Sequence, residues 1–177
     1  WRRRTIPVGV QASCPAEEER DVNASPKDYL DLLHELYRRG IFFEEPLGMD
    51  LPDYAAMQDL GAPVPHLVIS PRCEWGLSET LSLLHETGMY ESFPVSVRGG
   101  GAGHANRAAC TGIMINLSFM TEAQIVDDVL VTEPGVTLGR LIDKLTRVGK
   151  TVPHGESFHA AVGGHFITAG WDTVLTR

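Results

Sequence analysis

The chain has 177 residues, of which 43% are hydrophobic, and 23 Asp and Glu outnumber 15 Lys and Arg, giving a formal net charge of -8. This length and composition predict one globular domain with a substantial core. The acidic balance argues against broad affinity for nucleic acid, which depends on clustered cations. No apolar run reaches the about 18 residues that a transmembrane helix needs.

The amino-terminal 25 residues show neither helical nor strand periodicity, so we expect them to form an arm. They contain no apolar stretch of the kind found in signal peptides. Because the chain starts at Trp1, its compartment stays open, and secretion or an organelle after amino-terminal processing is compatible with the sequence. Asn23-Ala24-Ser25 and Asn116-Leu117-Ser118 match the N-glycosylation acceptor pattern, which keeps a secretory route open.

A helix is predicted directly after this arm. Ser25 is a favourable N-cap, Pro26 suits the first helical position, and apolar residues then recur at helical spacing until Gly40. Residues 41–64 contain prolines and no sustained period, which predicts a segment that wraps over the surface or across to another chain. Residues 1–64 are therefore interpreted as an amino-terminal arm and helix.

From Pro65 onward, short apolar runs alternate with amphipathic stretches, which predicts a domain of mixed α+β class over residues 65–177. The helices of this domain are predicted at 77–87, ended by Gly88, and at 137–148, ended by Gly149. Its strands are predicted at 66–70, 94–97, 113–117, 125–127 and 129–132.

A glycine cluster that follows the second of these strands is the strongest functional signal. The segment Arg98-Gly99-Gly100-Gly101-Ala102-Gly103-His104 has four glycines within five residues. Without a Cβ, the backbone can adopt positive φ, approach a ligand closely and turn successive N–H groups toward an anion. This arrangement suits a pyrophosphate, although a flexible turn explains an isolated cluster equally well.

A second glycine-bearing segment covers residues 153–171 and includes Gly155, Gly163, Gly164 and Gly170. The two segments are predicted to face one ligand from two sides. The histidines on these segments lack the spacing and the acidic partner of a zinc helix, so no metal site is predicted. The sequence has no P-loop and no nucleophile elbow, which argues against phosphoryl transfer and serine hydrolysis.

Five short motifs along residues 65–177 occur in an order that is specific to one family. They are Pro65–Pro71, Val97–Gly101, Ile115–Ser118, Pro134–Gly139 and Gly163–His165. Together they resemble the FAD-binding domain, of PCMH type, of the vanillyl-alcohol oxidase and berberine-bridge-enzyme-like flavoprotein oxidases. The resemblance implies that FAD is the cofactor and that the following residues bind it: Arg98, Gly99, Gly100, Gly101, Ala102, Gly103, His104, Pro134, Gly155, Ser157, Val162, Gly163, Gly164, His165 and Gly170.

The chain departs from this family where relatives commonly attach the flavin covalently. Without gaps, Ala102 falls at the position of the flavin-linking histidine and Ser157 at that of the cysteine, and neither replaces imidazole or thiolate. The flavin is therefore predicted to bind noncovalently, unless a two-residue shift lets His104 serve as the anchor. Thr168 and Ala169 stand where relatives often carry glycine, and their side chains would crowd the cofactor.

Catalytic residues are not assigned by the sequence. In relatives a substrate-binding domain follows, so we expect this chain to hold only part of the family fold, without the substrate domain. One interpretation is the flavin-binding portion of an FAD-dependent oxidoreductase, either as a fragment of a longer protein or completed by a second chain or a larger complex. The alternative is a degenerate flavin domain that serves as a structural or accessory subunit of a larger assembly. Substrate and electron acceptor are left unspecified.

Overall fold

The computed structural model describes residues 26–45, 63–102, 110–127, 129–152 and 157–167. Its helices are α1 Pro26–Arg38, α2 Glu74–Glu86, α3 Met89–Ser92, α4 Leu138–Thr146 and α5 Val162–Ile167. Its strands are β1 Phe43–Glu44, β2 Leu67–Ile69, β3 Val95–Arg98, β4 Ile113–Asn116, β5 Ala123–Val126 and β6 Val129–Thr132. The predicted α+β class is confirmed. The predicted arm, residues 1–25, lies outside the described residues.

Four strands form a mixed sheet in the spatial order β1-β2-β4-β3. Strands β2 and β3 are each parallel to β4, and β1 is antiparallel to β2. Strand β4 is buried along its whole length because other side chains cover it on both faces, with Ile113 and Ile115 in one cluster and Met114 in another, as expected for the continuous apolar run of a central parallel strand. The carboxyl ends of β2, β3 and β4 therefore lie at one edge of the sheet.

The helices α1 and α2 cover one face of this sheet. Leu32 and Leu36 of α1 and Leu83 of α2 pack in one buried cluster with the isoleucines and leucine that β2 and β4 direct toward them. Arg39 fastens the end of α1 to α2 by ion pairs, with Nη1 at 2.9 Å from Glu79. Side chains from residues 26–45 therefore belong to the same hydrophobic core as the strands and helix of residues 65–177.

A second layer is built on the antiparallel ribbon β5–β6 and helix α4. Leu138, Leu141 and Leu145 of α4 form a buried cluster with Val136 and Val162, and the ribbon packs one face against it. The ribbon turns at Asp127, whose φ of +47° lies in the left-handed region that aspartate tolerates better than most residues. No helix within the described ranges is long and apolar enough to cross a membrane.

Several predicted boundaries shift by a few residues. Helix α2 starts at Glu74 rather than at Leu77, because its first residues, Glu74 and Trp75, are exposed and Gly76 has no side chain, so this turn carries no apolar periodicity. Thr137 is the N-cap of α4, accepting a hydrogen bond from the Arg140 backbone N–H. The glycine stops after both helices are confirmed, with φ of +65° at Gly88 and +69° at Gly149. Strand β1 is not predicted by the sequence, because two residues are too few to show the alternation of apolar and polar side chains that indicates a strand.

Candidate functional site

The first glycine segment leaves the sheet at the carboxyl end of the edge strand β3. The Arg98 carbonyl, at the end of β3, accepts a 2.8 Å hydrogen bond from Leu117 N–H, which fixes the point of departure. Gly101 has a φ of +72°, a conformation that glycine adopts without strain. A Cβ built on Gly101 would lie 2.5 Å from Arg98 Nη2, so the guanidinium folds back over this turn and brings positive charge to it.

The two glycine segments lie directly against each other. A Cβ on Gly99 would be 2.9 Å from the Ala161 Cβ and 3.8 Å from the Gly164 backbone nitrogen. A Cβ on Gly100 would be 2.7 Å from the His159 carbonyl oxygen. Side chains at positions 99 and 100 would therefore force the segments apart, and their convergence, which the sequence predicts, depends on glycine there.

The second segment is held in place by the turn that follows β6. Val162 N–H donates to the Val136 carbonyl at 2.8 Å, and Gly163 N–H donates to the Pro134 carbonyl at 2.9 Å. A Cβ on Gly163 would lie 2.6 Å from the Pro134 Cβ, whereas among the described residues no atom outside its own helix lies within 4 Å of a Cβ on Gly164. Gly163 thus serves close packing, and Gly164 faces open space beside Gly99.

The residues predicted to bind the cofactor fall into three groups. The structure brings together Arg98, Gly99, Gly100, Gly101, Pro134, Gly163 and Gly164 through the contacts above. Ala102 and Ser157 are exposed, the Val162 side chain packs inward, and the half-buried His165 ring lies edge-on to Phe166. Gly103, His104, Gly155 and Gly170 lie outside the described residues.

Two polar residues at the same sheet edge were not predicted as part of this site. Asn116 ends β4 with 5% of its surface exposed, and Ser70, just after β2, is fully buried. The Asn116 Nδ2 donates to Ser70 Oγ at 3.4 Å, and its Oδ1 accepts from Ser118 N–H at 3.2 Å. The sequence signal that could have identified Asn116 is its position as the polar last residue of an otherwise apolar strand.

An aromatic and cationic cluster also lies at this edge and was not predicted. The Arg72 guanidinium carbon is 5.7 Å from the Phe42 ring centroid and 5.8 Å from that of Phe119. Phe42 adjoins the end of β2, where its carbonyl accepts from Ser70 N–H at 2.8 Å. Among the described residues, no group of three or more His, Cys, Asp or Glu side chains is placed to hold a metal ion.

Residues 65–174 match the family model described as an FAD binding domain. The match covers more than half of the 177 residues, and the chain therefore belongs to this family of FAD-binding domains. The cofactor of the family is FAD, as the sequence motifs predict. No curated protein sequence matches the chain.

Solved structures of flavoprotein oxidases share the fold. The carbohydrate oxidase from Microdochium nivale is 21% identical with a TM-score of 0.60, covering 76% of this chain and 29% of that chain. BBE-like 1 from Physcomitrella patens is 18% identical with a TM-score of 0.57, covering 76% and 30%. Glucooligosaccharide oxidase from Acremonium strictum is 20% identical with a TM-score of 0.56, covering 76% and 29%.

These comparisons confirm the predicted PCMH-type fold and its berberine-bridge-like relatives. Identities of 18 to 21% establish similarity of fold. The chain spans 29 to 30% of the length of these three chains, which corresponds to part of the flavoprotein architecture.

Proposed function

We propose that this chain is the flavin-binding part of an FAD-dependent oxidoreductase and that it holds FAD noncovalently. The observation that carries the proposal is the contact of Gly99 and Gly100 with residues 159–164, beside open space at Gly164. Backbone N–H groups on such glycine turns bind the oxygens of a diphosphate, because a missing Cβ lets the ligand approach the main chain.

The described residues of the site have separate proposed roles. Gly99 and Gly100 allow the two segments to close, and Gly164 leaves room for the diphosphate next to them. The Arg98 guanidinium, folded over Gly101, supplies the positive charge and planar N–H donors that suit phosphate oxygens. Bound FAD supplies the hydride acceptor for oxidation of an organic substrate.

The proposed contacts with FAD are the residues that the family motifs indicate. The first segment supplies Arg98, Gly99, Gly100, Gly101, Ala102, Gly103 and His104, and the turn after β6 supplies Pro134. The second segment supplies Gly155, Ser157, Val162, Gly163, Gly164, His165 and Gly170. Of these, Val162 supports the segment from inside, because its side chain packs in the core of the second layer and its N–H donates to the Val136 carbonyl.

The absence of a covalent link is proposed from Ala102 and Ser157. Glucooligosaccharide oxidase from Acremonium strictum is described as carrying a 6-S-cysteinyl, 8α-N1-histidyl FAD. In this chain, the positions that correspond to the linking histidine and cysteine hold a methyl group and a hydroxyl, both on exposed residues. Neither group forms the bonds of imidazole or thiolate. A single histidyl link would have to come from His104.

A partner surface is proposed next to the site. Phe158, Phe166 and Ile167 are exposed by 50%, 65% and 87%, respectively. Exposed apolar side chains of this size on one short segment favour coverage by other polypeptide. We propose that residues outside the described ranges, a second chain or a larger complex cover them and complete the site. The same observation supports the alternative function, a flavin domain that acts as an accessory subunit through this surface.

Titration of the purified 177-residue chain with FAD tests the proposed function. We expect saturable binding of one flavin per chain, seen as quenching of flavin fluorescence and as a perturbed visible spectrum. Precipitation with acid should then release all flavin into the supernatant and leave no fluorescent band on a denaturing gel. A folded chain that binds no FAD would favour the accessory role, and a fluorescent protein band would show a covalent link.

A further inference from the structure

One turn, residues 117–120, is hydrogen-bonded to both walls of the candidate site. On one side, Leu117 N–H donates to the Arg98 carbonyl at 2.8 Å, where the first glycine segment begins. On the other side, the Met120 carbonyl accepts from Gly135 N–H at 2.9 Å. Gly135 follows Pro134, which accepts the hydrogen bond from Gly163. The turn therefore links the start of the first segment to the support of the second.

The residues of this linkage are closely packed. A Cβ on Gly135 would overlap the Leu117 carbonyl oxygen and lie 2.7 Å from the Met120 carbonyl oxygen. The next contact in the series is equally close, since a Cβ on Gly163 would lie 2.6 Å from the Pro134 Cβ. Close-packed groups transmit a displacement rather than absorb it. A shift of the turn is therefore passed through Pro134 to Gly163 and changes the spacing of the two segments.

The side chain of Asn116 determines the shape of this turn. Its Oδ1 accepts from the Ser118 backbone N–H at 3.2 Å, two residues further on, which is the contact that makes asparagine favourable in tight turns. Its Nδ2 donates to Ser70 Oγ at 3.4 Å and thereby fastens the turn to the end of β2. Both bonds are inside the protein, where Asn116 is 5% exposed.

We infer that Asn116 is a positioning residue for the flavin site, acting through the turn 117–120 on the separation of the two glycine segments. The inference rests on the proposed function, since it assigns Asn116 to the binding of FAD by those segments. We expect Asn116 to act without contacting FAD itself. Its effect on the affinity for FAD comes from the positions that the turn sets for Arg98 on one side and for Gly163 on the other.

The test compares FAD dissociation constants of folded variants with their melting temperatures. Asn116→Ala removes both bonds, and we expect it to weaken FAD binding about tenfold. Asn116→Asp keeps the acceptor for Ser118 N–H, and it should restore the affinity to within about threefold of the wild type. Ser70→Ala removes the Nδ2 contact but keeps the turn contact, and its affinity should stay within about twofold.

Thr80→Val is the matched control for a purely structural effect. Thr80 is buried in α2, where its Oγ1 donates to the Gly76 carbonyl at 2.7 Å. This variant loses a buried hydrogen bond away from the turn, so its melting temperature should fall while its FAD affinity stays at the wild-type value. Circular dichroism of the bound flavin should change in Asn116→Ala and remain unchanged in Thr80→Val.

Equal FAD affinity in the wild type and Asn116→Ala would overturn the inference, as would a loss that simply follows the melting temperature across all variants. If Asn116→Ala does not fold, Asn116→Ser decides, because its short hydroxyl holds the turn more weakly. That variant should lose about threefold in affinity, and an unchanged value would again overturn the inference. A wild-type chain that binds no FAD would overturn the proposed function and this inference together.

Discussion

The glycines of the candidate site differ in what surrounds them, and this difference separates packing from ligand binding. At Gly164, within α5, no atom of the described part of the chain beyond its own helix lies within 4 Å of the Cβ position. Gly164→Ala should therefore leave the free energy of unfolding unchanged or raise it by up to about 1 kcal/mol, because alanine favours helix. If the diphosphate approaches this position, FAD affinity should fall about tenfold. Thermal denaturation and FAD titration of the same sample check both parts.

Gly100→Ala provides the contrasting case. Its Cβ would lie 2.7 Å from the His159 carbonyl oxygen and 3.0 Å from the Ala161 backbone nitrogen, so the two segments must separate to admit it. Stability and FAD affinity should both decrease. A Gly164→Ala chain that binds FAD as tightly as the wild type would place the diphosphate elsewhere.

Asn116 is also the acceptor of a sequence pattern for N-glycosylation, but its structural environment opposes that modification. The Nδ2 atom that would carry the glycan donates to Ser70 Oγ, and the residue is 5% exposed. When the chain is expressed through a eukaryotic secretory pathway, we expect the folded product to carry no glycan on Asn116. Peptide mass mapping with and without glycosidase checks this. A glycan at Asn116 in soluble, folded protein would contradict the buried position of β4.

Helix α1 contributes to the fold through its inner face. Leu36 is fully buried in the cluster shared with β2, β4 and α2, whereas Leu30 on the same helix is 63% exposed. Leu36→Ala should lower the free energy of unfolding by about 2–5 kcal/mol, because it removes buried methyl groups and leaves a cavity. Leu30→Ala should stay within about 0.5 kcal/mol. Chemical denaturation with fitted m-values measures both, and equal effects would show that α1 is not docked on this core.

The junction between α1 and β1 should make stability depend on alkaline pH. Burial, together with a 2.8 Å hydrogen bond from Tyr29 Oη to Glu45, raises the pKa of Tyr29. A folded pKa above the unfolded value of about 10 means that the stabilisation is complete below that pH and is lost as pH rises through the folded pKa. Tyr29→Phe should remove this part of the decline. Parallel denaturation curves of wild type and variant between neutral and strongly alkaline pH measure it.

At the scale of the molecule, the sequence predicted what depends on periodicity and on local motifs. The strands around β4 and the helix stops at Gly88 and Gly149 follow from hydrophobic pattern and from glycine's tolerance of positive φ. The convergence of the two glycine segments followed from the order of family motifs. Periodicity alone carries no information about contacts between residues so far apart in the chain.

The parts that escaped prediction depend on pairs that only the folded chain brings together. Ser70 and Asn116 meet at the edge of the sheet because β2 pairs with β4. The sequence around either residue does not predict their hydrogen bond. Phe42, Arg72 and Phe119 come together because β2 pairs with β1 on one side and with β4 on the other. Strand β1 forms because it pairs with the edge of β2, and its own two-residue sequence does not predict it.

The central position of β4 has a consequence for synthesis of the chain. Strand β4 is translated after both β2 and β3, yet it lies between them. In a nascent chain that ends before residue 113, β2 and β3 therefore lack the strand that lies between them, and the Arg98 carbonyl lacks its hydrogen bond from Leu117. We therefore expect the flavin site to form only after β4 has been inserted between β2 and β3 and residues 157–167 have been translated.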